Sequence, residues 1–268
     1  MAKRGNKDVP RANPLRAPSD AKTPAKREHY HLFRNHRCNT EDVGFETPRN
    51  LSPLDLVLHV SEGFIPLWEP SVILRWRIRE QSLAHLKDKA AAKNAVRTLL
   101  GKALLAWGDA APVKFTERDD AWDFEIVVQE KDNCNPFGCV LASAFFPDAG
   151  RHELTIYPEM FDQVEQEQIE TLAHEIGHVF GLRHFFAKVS ETAWPAELFG
   201  EHSKFSIMNY GPDSRLTDVD KVDLKRLYQS VWAGALTHIN GTPIRQVGPF
   251  HQTGAAIVAA AAAVAQTG

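Results

Sequence analysis

Residues 168–184 read Gln168-Ile169-Glu170-Thr171-Leu172-Ala173-His174-Glu175-Ile176-Gly177-His178-Val179-Phe180-Gly181-Leu182-Arg183-His184. At about 100° per residue, Ile169, Leu172, Ile176 and Phe180 share one stripe of a helix, while His174 and His178 lie on the opposite side, roughly 40° apart. Asp162 is placed to cap this helix, with Glu165 reaching back from the third position. Two imidazoles one turn apart can reach a single metal ion, and Glu175 between them puts a carboxylate beside it. Gly181 can adopt a backbone conformation closed to most residues, so it ends the helix and turns the chain, and His184 follows at the spacing of a third imidazole ligand. From the His and Glu content of the chain, the short His-Glu-x-x-His pattern is expected by chance roughly 0.04 times; adding Gly181 and His184 lowers that to on the order of 0.0001.

Outward from this segment the pattern is one of alternating element types. Val72 onward alternates apolar and basic residues as a half-exposed strand does, and Ala84 to Trp107 carries Leu86, Val96, Leu99, Leu100, Ala103 and Trp107 at helical spacing. Four short strands are expected at Val113–Phe115, Phe124–Val128, Val140–Phe146 and Leu154–Tyr157. After the histidine segment, Thr217 caps a closing helix with Leu224, Leu227, Tyr228 and Val231 inward. This order predicts an α+β fold: a mixed twisted sheet with a long helix packed on one face, an active-site helix and a C-terminal helix. The Pro-punctuated stretch 51–68 has no clear assignment.

Composition narrows the classes. The chain has 268 residues, 43% hydrophobic and 24% charged, which is ample for a buried core and excludes a fully disordered chain. The longest apolar run, Ala255 to Ala265, has eleven residues, short of the roughly 18 that span a bilayer, so no membrane partner is expected. Residues 1–38 hold ten Lys/Arg against three Asp/Glu, a balance of +7, which leaves 21 basic and 31 acidic residues, or −10, for the remainder. Residues 1–28 read as a flexible basic tail without the apolar stretch of a secretory signal. No aromatic residue is interleaved with these charges before Tyr30, so nucleic acid is not an expected partner. Residues 29–70 read as a leading segment or linker, 71–234 as the folded domain that carries the histidine segment and 235–268 as a C-terminal tail. Cys134 and Cys139 flank a turn with Pro136 and Gly138, suited to a small disulfide in an oxidising compartment or to two thiols in a reducing one.

The segment resembles the metzincin zinc endopeptidases, whose motif His-Glu-x-x-His-x-x-Gly-x-x-His is matched by His174, Glu175, His178, Gly181 and His184. That resemblance implies a methionine turn beneath the metal, and Phe-Ser-Ile-Met-Asn-Tyr-Gly at Phe205–Gly211 supplies Met208. Tyr210 stands where astacin-like and serralysin-like members have a tyrosine that binds zinc or stabilises the transition state; packing as a turn aromatic is its other reading. Upstream, Ala106 to Phe115, Phe124 to Val128 and Cys139 to Pro147 resemble the matrixin branch, the matrix-metalloproteinase type, over roughly residues 71–232. The chain departs from that branch at Ser143, Thr155 and Tyr157, where structural-zinc and calcium ligands are expected, so one catalytic zinc is implied and neither a structural zinc nor calcium. A Cys134–Cys139 bridge is then a way to tie down the shortened loop. Arg37-Cys38-Asn39 is similar to the matrixin switch, in which a thiolate occupies the fourth zinc position and keeps a zymogen latent; a spare linker thiol is the alternative.

The resemblance implies a monomeric metalloendopeptidase acting on protein or peptide substrates through a zinc-activated water, with Glu175 as general base. It suggests an extracellular location, whereas the missing signal suggests a cytoplasmic one. Two other functions are weighed: a zinc-binding protein without proteolysis or permanently latent, told apart by bound zinc without cleavage even after residues 1–50 are removed, and association with DNA through the basic tail, told apart by salt-dependent retention.

Overall fold

The structure, a computed structural model, describes residues 13–16, 36–37, 56–59, 63–135, 138–183, 196–199, 206–208 and 215–253, with the backbone course alone at 36–37, 56–59 and 196–199. Cys38, His184 and Tyr210 lie outside the described residues. The first strands are β1 (His36–Arg37), β2 (Leu56–His59), β3 (Ile65–Trp68) and β4 (Ile73–Ile78), followed by helix α1 (Lys89–Trp107). Then come β5 (Lys114–Glu117), β6 (Phe124–Val128), β7 (Asn133–Asn135), β8 (Gly138–Val140), β9 (Ala142–Ser143) and β10 (His152–Ile156). Helix α2 (Glu165–Val179), β11 (Ala196–Phe199), helix α3 (Asp218–Trp232), β12 (His238–Ile239) and β13 (Thr242–Val247) complete the order.

The main sheet runs β5-β4-β6-β10-β9, with the first four strands parallel and β9 antiparallel at the edge. This is the mixed sheet expected, and β6 is buried along its whole length, as a central parallel strand must be. Helix α1 begins at Lys89 rather than Ala84, because Glu80–Leu83 forms a 3-10 turn and the Asp88 side chain then accepts from Ala91 N at 2.8 Å, capping the helix there. Its buried stripe, Ala92, Val96, Leu99, Leu100, Ala103 and Trp107, packs against α2. The strand expected over Val140–Phe146 is broken at Leu141, where β8 pairs with β7 and β9 with β10. Cys134 and Cys139 face each other across the β7–β8 hairpin and are bridged, S–S 2.06 Å. Beyond the break, Phe145 and Phe146 turn into the core.

Three further differences concern the chain ends and the helix cap. The stretch without an assignment holds β2, paired with β11, and β3, which is fully buried and runs parallel to β13. Residues 236–253, expected as tail, contain the β12–β13 hairpin and a helical turn over 250–253; β3, with no partner of its own in the main sheet, takes β13 instead. Within the stretch expected to be a flexible tail, Asn13–Arg16 pack on the body, and Leu15 is 1% exposed. These residues take up Asp162: its carboxylate binds Asn13 and Arg16, and Val164 holds the cap position of α2 without a side-chain bond. Thr217 and Asp220 form the reciprocal capping box at the start of α3, and Leu224, Leu227, Tyr228 and Val231 are buried.

Candidate metal centre

From Thr171 to Arg183 every residue is buried, so the face of α2 opposite its apolar stripe is covered as well. His174 and His178 are both fully buried and Glu175 is 1% exposed. The two imidazole rings lie 4.8 Å apart between centroids, at 86° to each other, and Phe146 packs edge-on against His178. His174 Nδ1 donates to the Ile207 carbonyl at 2.7 Å, and His178 Nδ1 donates to the Leu182 carbonyl at 2.8 Å. A carbonyl only accepts, so each ring carries a proton on Nδ1, and in its neutral form the lone pair is left on Nε2. Neutral imidazoles in that tautomer, oriented by backbone acceptors, are the donors that a zinc ion takes, so these residues fit the ion the motif implies.

Both acceptors are products of local turns. Phe180 caps α2, and Gly181 at φ 89° lets its own N–H bond His178 O at 2.8 Å while Leu182 N–H bonds Gly177 O at 3.0 Å. This six-to-one and five-to-two pair closes the helix, and it also swings the Leu182 carbonyl under His178. A second turn, Ser206–Met208, is held by Met208 N donating to Ser206 Oγ at 3.2 Å and delivers the Ile207 carbonyl to His174. Met208, 1% exposed, lies directly against Gly177, the residue before His178: a methyl group there would come within 2.6 Å of its Sδ.

The rear of α2 is fastened by aromatic donors. Trp107 Nε1 bonds Ala173 O at 2.9 Å, Trp68 Nε1 bonds Val179 O at 2.7 Å and the Tyr228 hydroxyl bonds Phe180 O at 3.1 Å. Burial pushes the Tyr228 hydroxyl pKa up, which keeps it a donor. Sequence reasoning missed Trp68, Trp107, Tyr228 and the two carbonyls as parts of the site; Gly177 was the one visible signal, since a mid-helix glycine costs about 1 kcal/mol and calls for a packing reason.

Among the described residues no group of three His, Cys, Asp or Glu side chains is arranged to hold a metal ion, and no helix is long and apolar enough to cross a membrane. Beside the site, β9 lies against α2. At the outer side of β8, β1 pairs in parallel, with His36 opposite Cys139 and Arg37 opposite Val140.

The chain is similar to several known proteins. Human matrix metalloproteinase-17 is 31% identical over 131 residues, covering 42% of this chain and 21% of that protein, so the chain spans about a fifth of the length of this relative. Among solved structures, myroilysin shares 12% identity at a TM-score of 0.42, over 60% of this chain and 95% of its own. High choriolytic enzyme 1, a hatching-enzyme zinc-protease from the medaka Oryzias latipes, shares 12% identity at a TM-score of 0.40, over 68% of this chain and 98% of its own. The matrixin family model matches residues 68–228, from the end of β3 into α3, which is more than half of the sequence. On that match the chain belongs to the matrixin family of metallopeptidases, a branch of the metzincins.

Proposed function

We propose that the chain is a zinc-dependent endopeptidase in which His174, His178 and His184 hold one catalytic ion and Glu175 is the general base. What supports the reading is a single arrangement: two buried imidazoles one helical turn apart, each with its Nδ1 proton committed to a backbone carbonyl. When bound, zinc supplies Lewis acidity, polarising the peptide carbonyl and making water acidic enough to ionise near neutral pH. Glu175 takes the proton from the attacking water and passes it to the leaving amine, and Tyr210 donates to the oxyanion as it develops. The β8–β9 edge receives an extended substrate by strand addition, so affinity comes mainly from backbone hydrogen bonds and sequence demand is low. The test is Glu175→Ala: peptide hydrolysis falls at least about 100-fold while zinc content by elemental analysis stays at one ion per chain. Substantial cleavage by that variant would remove Glu175 from its role.

A second reading, latency of the intact chain, is favoured by β1. His36–Arg37 already occupy the β8 edge, in the direction opposite to an antiparallel substrate strand, and Cys38 follows immediately. A Cys38 thiolate on the ion would exclude the water that hydrolysis requires. Cys38→Ser therefore raises peptide cleavage by the uncut chain; an unchanged rate ends this reading.

A further inference from the structure

Residues Asn13-Pro14-Leu15-Arg16 form a compact turn that is seated like a ligand. Asn13 organises it: its side-chain oxygen accepts from Leu15 N at 2.9 Å and its main-chain oxygen from Arg16 N at 3.3 Å. The Asn13 amide then donates outward to Pro158 O and Asp162 Oδ1, both at 2.8 Å. Leu15 enters the main hydrophobic core. Arg16 reaches three carboxylates from two separate loops: Nε to Asp162 at 2.7 Å, and Nη2 to Asp132 at 2.9 Å and Glu159 at 3.1 Å. The guanidinium side chain is 11% exposed and its partners 12–17%. Burial works against the charged guanidinium, but the hydrogen bonds it donates to Asp162 and Asp132, together with the attraction of those charges, outweigh it and raise its pKa. The receiving loops are themselves tied together, with Glu159 N donating to Asp132 at 2.8 Å. A planar cation with directed donors, an apolar anchor one residue before it and an amide two residues before that match this pocket in shape and in charge.

We propose that the body of the domain carries a peptide-docking site for an Asn-Pro-Leu-Arg turn, and that residues 13–16 stay bound in it, as a separate peptide, when the chain between 17 and 35 is cut. The site stands apart from the metal centre, and its existence does not depend on peptidase activity. Trimming between these residues then yields a two-piece protein rather than one stripped of its N-terminus.

The experiment uses the full chain with a sequence-specific protease site placed between residues 22 and 28. After cutting, the N-terminal fragment co-elutes with the body in size-exclusion chromatography at micromolar concentration. A fluorescent synthetic peptide of residues 9–20 exchanges into the cut protein and saturates one site. Changes confined to the peptide avoid any folding defect in the body: Arg16→Ala and Leu15→Ala abolish saturable exchange, and Arg16→Lys weakens it severalfold, because an ammonium cannot make the forked contacts. Separation of the fragment from the cut wild-type protein, or equal exchange of the Arg16→Ala peptide, overturns the proposal. A concentration-dependent dimer of the intact chain that Arg16→Ala dissolves would place the turn in a second copy and overturn the assignment within one chain.

Discussion

A methyl group on Gly177 would lie 2.6 Å from Met208 Sδ, closer than unstrained atoms allow, and 3.4 Å from Trp107 Cζ2, in ordinary contact. Helix propensity alone favours Gly177→Ala by about 1 kcal/mol, so the sign of the substitution tests whether packing overrides propensity. Met208 is buried in the core, so its side chain yields only by repacking its neighbours, and overpacking of this kind costs about 1–3 kcal/mol. Gly177→Ala should therefore lower the Tm, and it should weaken zinc retention by lifting α2 off the Met208 turn that supplies the Ile207 carbonyl to His174. Adding Met208→Ala to it restores part of the lost stability; a Gly177→Ala protein with raised Tm contradicts the packing described. At this scale the sequence is informative about side chains and silent about backbone: His174, Glu175 and His178 are legible from their spacing, whereas their orienting acceptors, Ile207 O and Leu182 O, are carbonyls that any residue could provide.

At the level of elements, α2 shows why hydrophobic periodicity locates a helix but not its surroundings. Its apolar stripe predicts the helix, yet the opposite face is buried by the 206–208 turn and by Phe146, which come from distant parts of the chain. Asp162 illustrates the same limit: its position suits a helix cap, and tertiary contact with Asn13 and Arg16 wins instead. Thr217 had no such competitor, so its local signal survives into the fold. Glu167, in the first turn of α2, is 4% exposed, and burial with a smaller contribution from Glu170 pushes its pKa up to about 7 from an ordinary 4.5. Between about pH 4.5 and 7 the folded chain thus retains a proton that the unfolded chain has lost, and this group's contribution to stability falls as pH rises through that window. Glu167→Gln removes that slope. Unfolding free energies from denaturant titration at pH 5 and pH 8 should differ less in the variant than in the wild type, by up to about 3 kcal/mol; parallel pH profiles would show that Glu167 titrates normally.

For the molecule as a whole, the matrixin match ends at residue 228, yet the fold continues through 253. The return of β13 to β3 was not legible, because Thr242–Val247 shows no sustained apolar alternation and its partner lies nearly the whole domain earlier in the chain. Its contacts are nonetheless extensive. Ile244 to Val247 pair with Ile65 to Trp68, and Glu69 N bonds Val247 O at 3.1 Å. Arg151 is held between the rings of Trp122 and Phe250, at 4.3 and 4.5 Å. His251 binds the buried Asp123 through its main-chain N–H at 2.8 Å and its ring Nδ1 at 2.9 Å, while Asp123 also accepts from Arg75 N at 2.7 Å. A chain ending at residue 235 would bare the buried β3 and leave the Asp123 carboxylate short of two donors, which together should cost about 3–5 kcal/mol. The loss should not stop at stability, because Trp68 at the end of β3 holds the Val179 carbonyl at the end of α2. Truncation at 235 is therefore expected to lower both the Tm and zinc retention relative to the full chain. If the chain ending at 235 melts with full length and binds zinc equally, the C-terminal hairpin is an appendage and the path from β13 through Trp68 to the metal helix carries no energy.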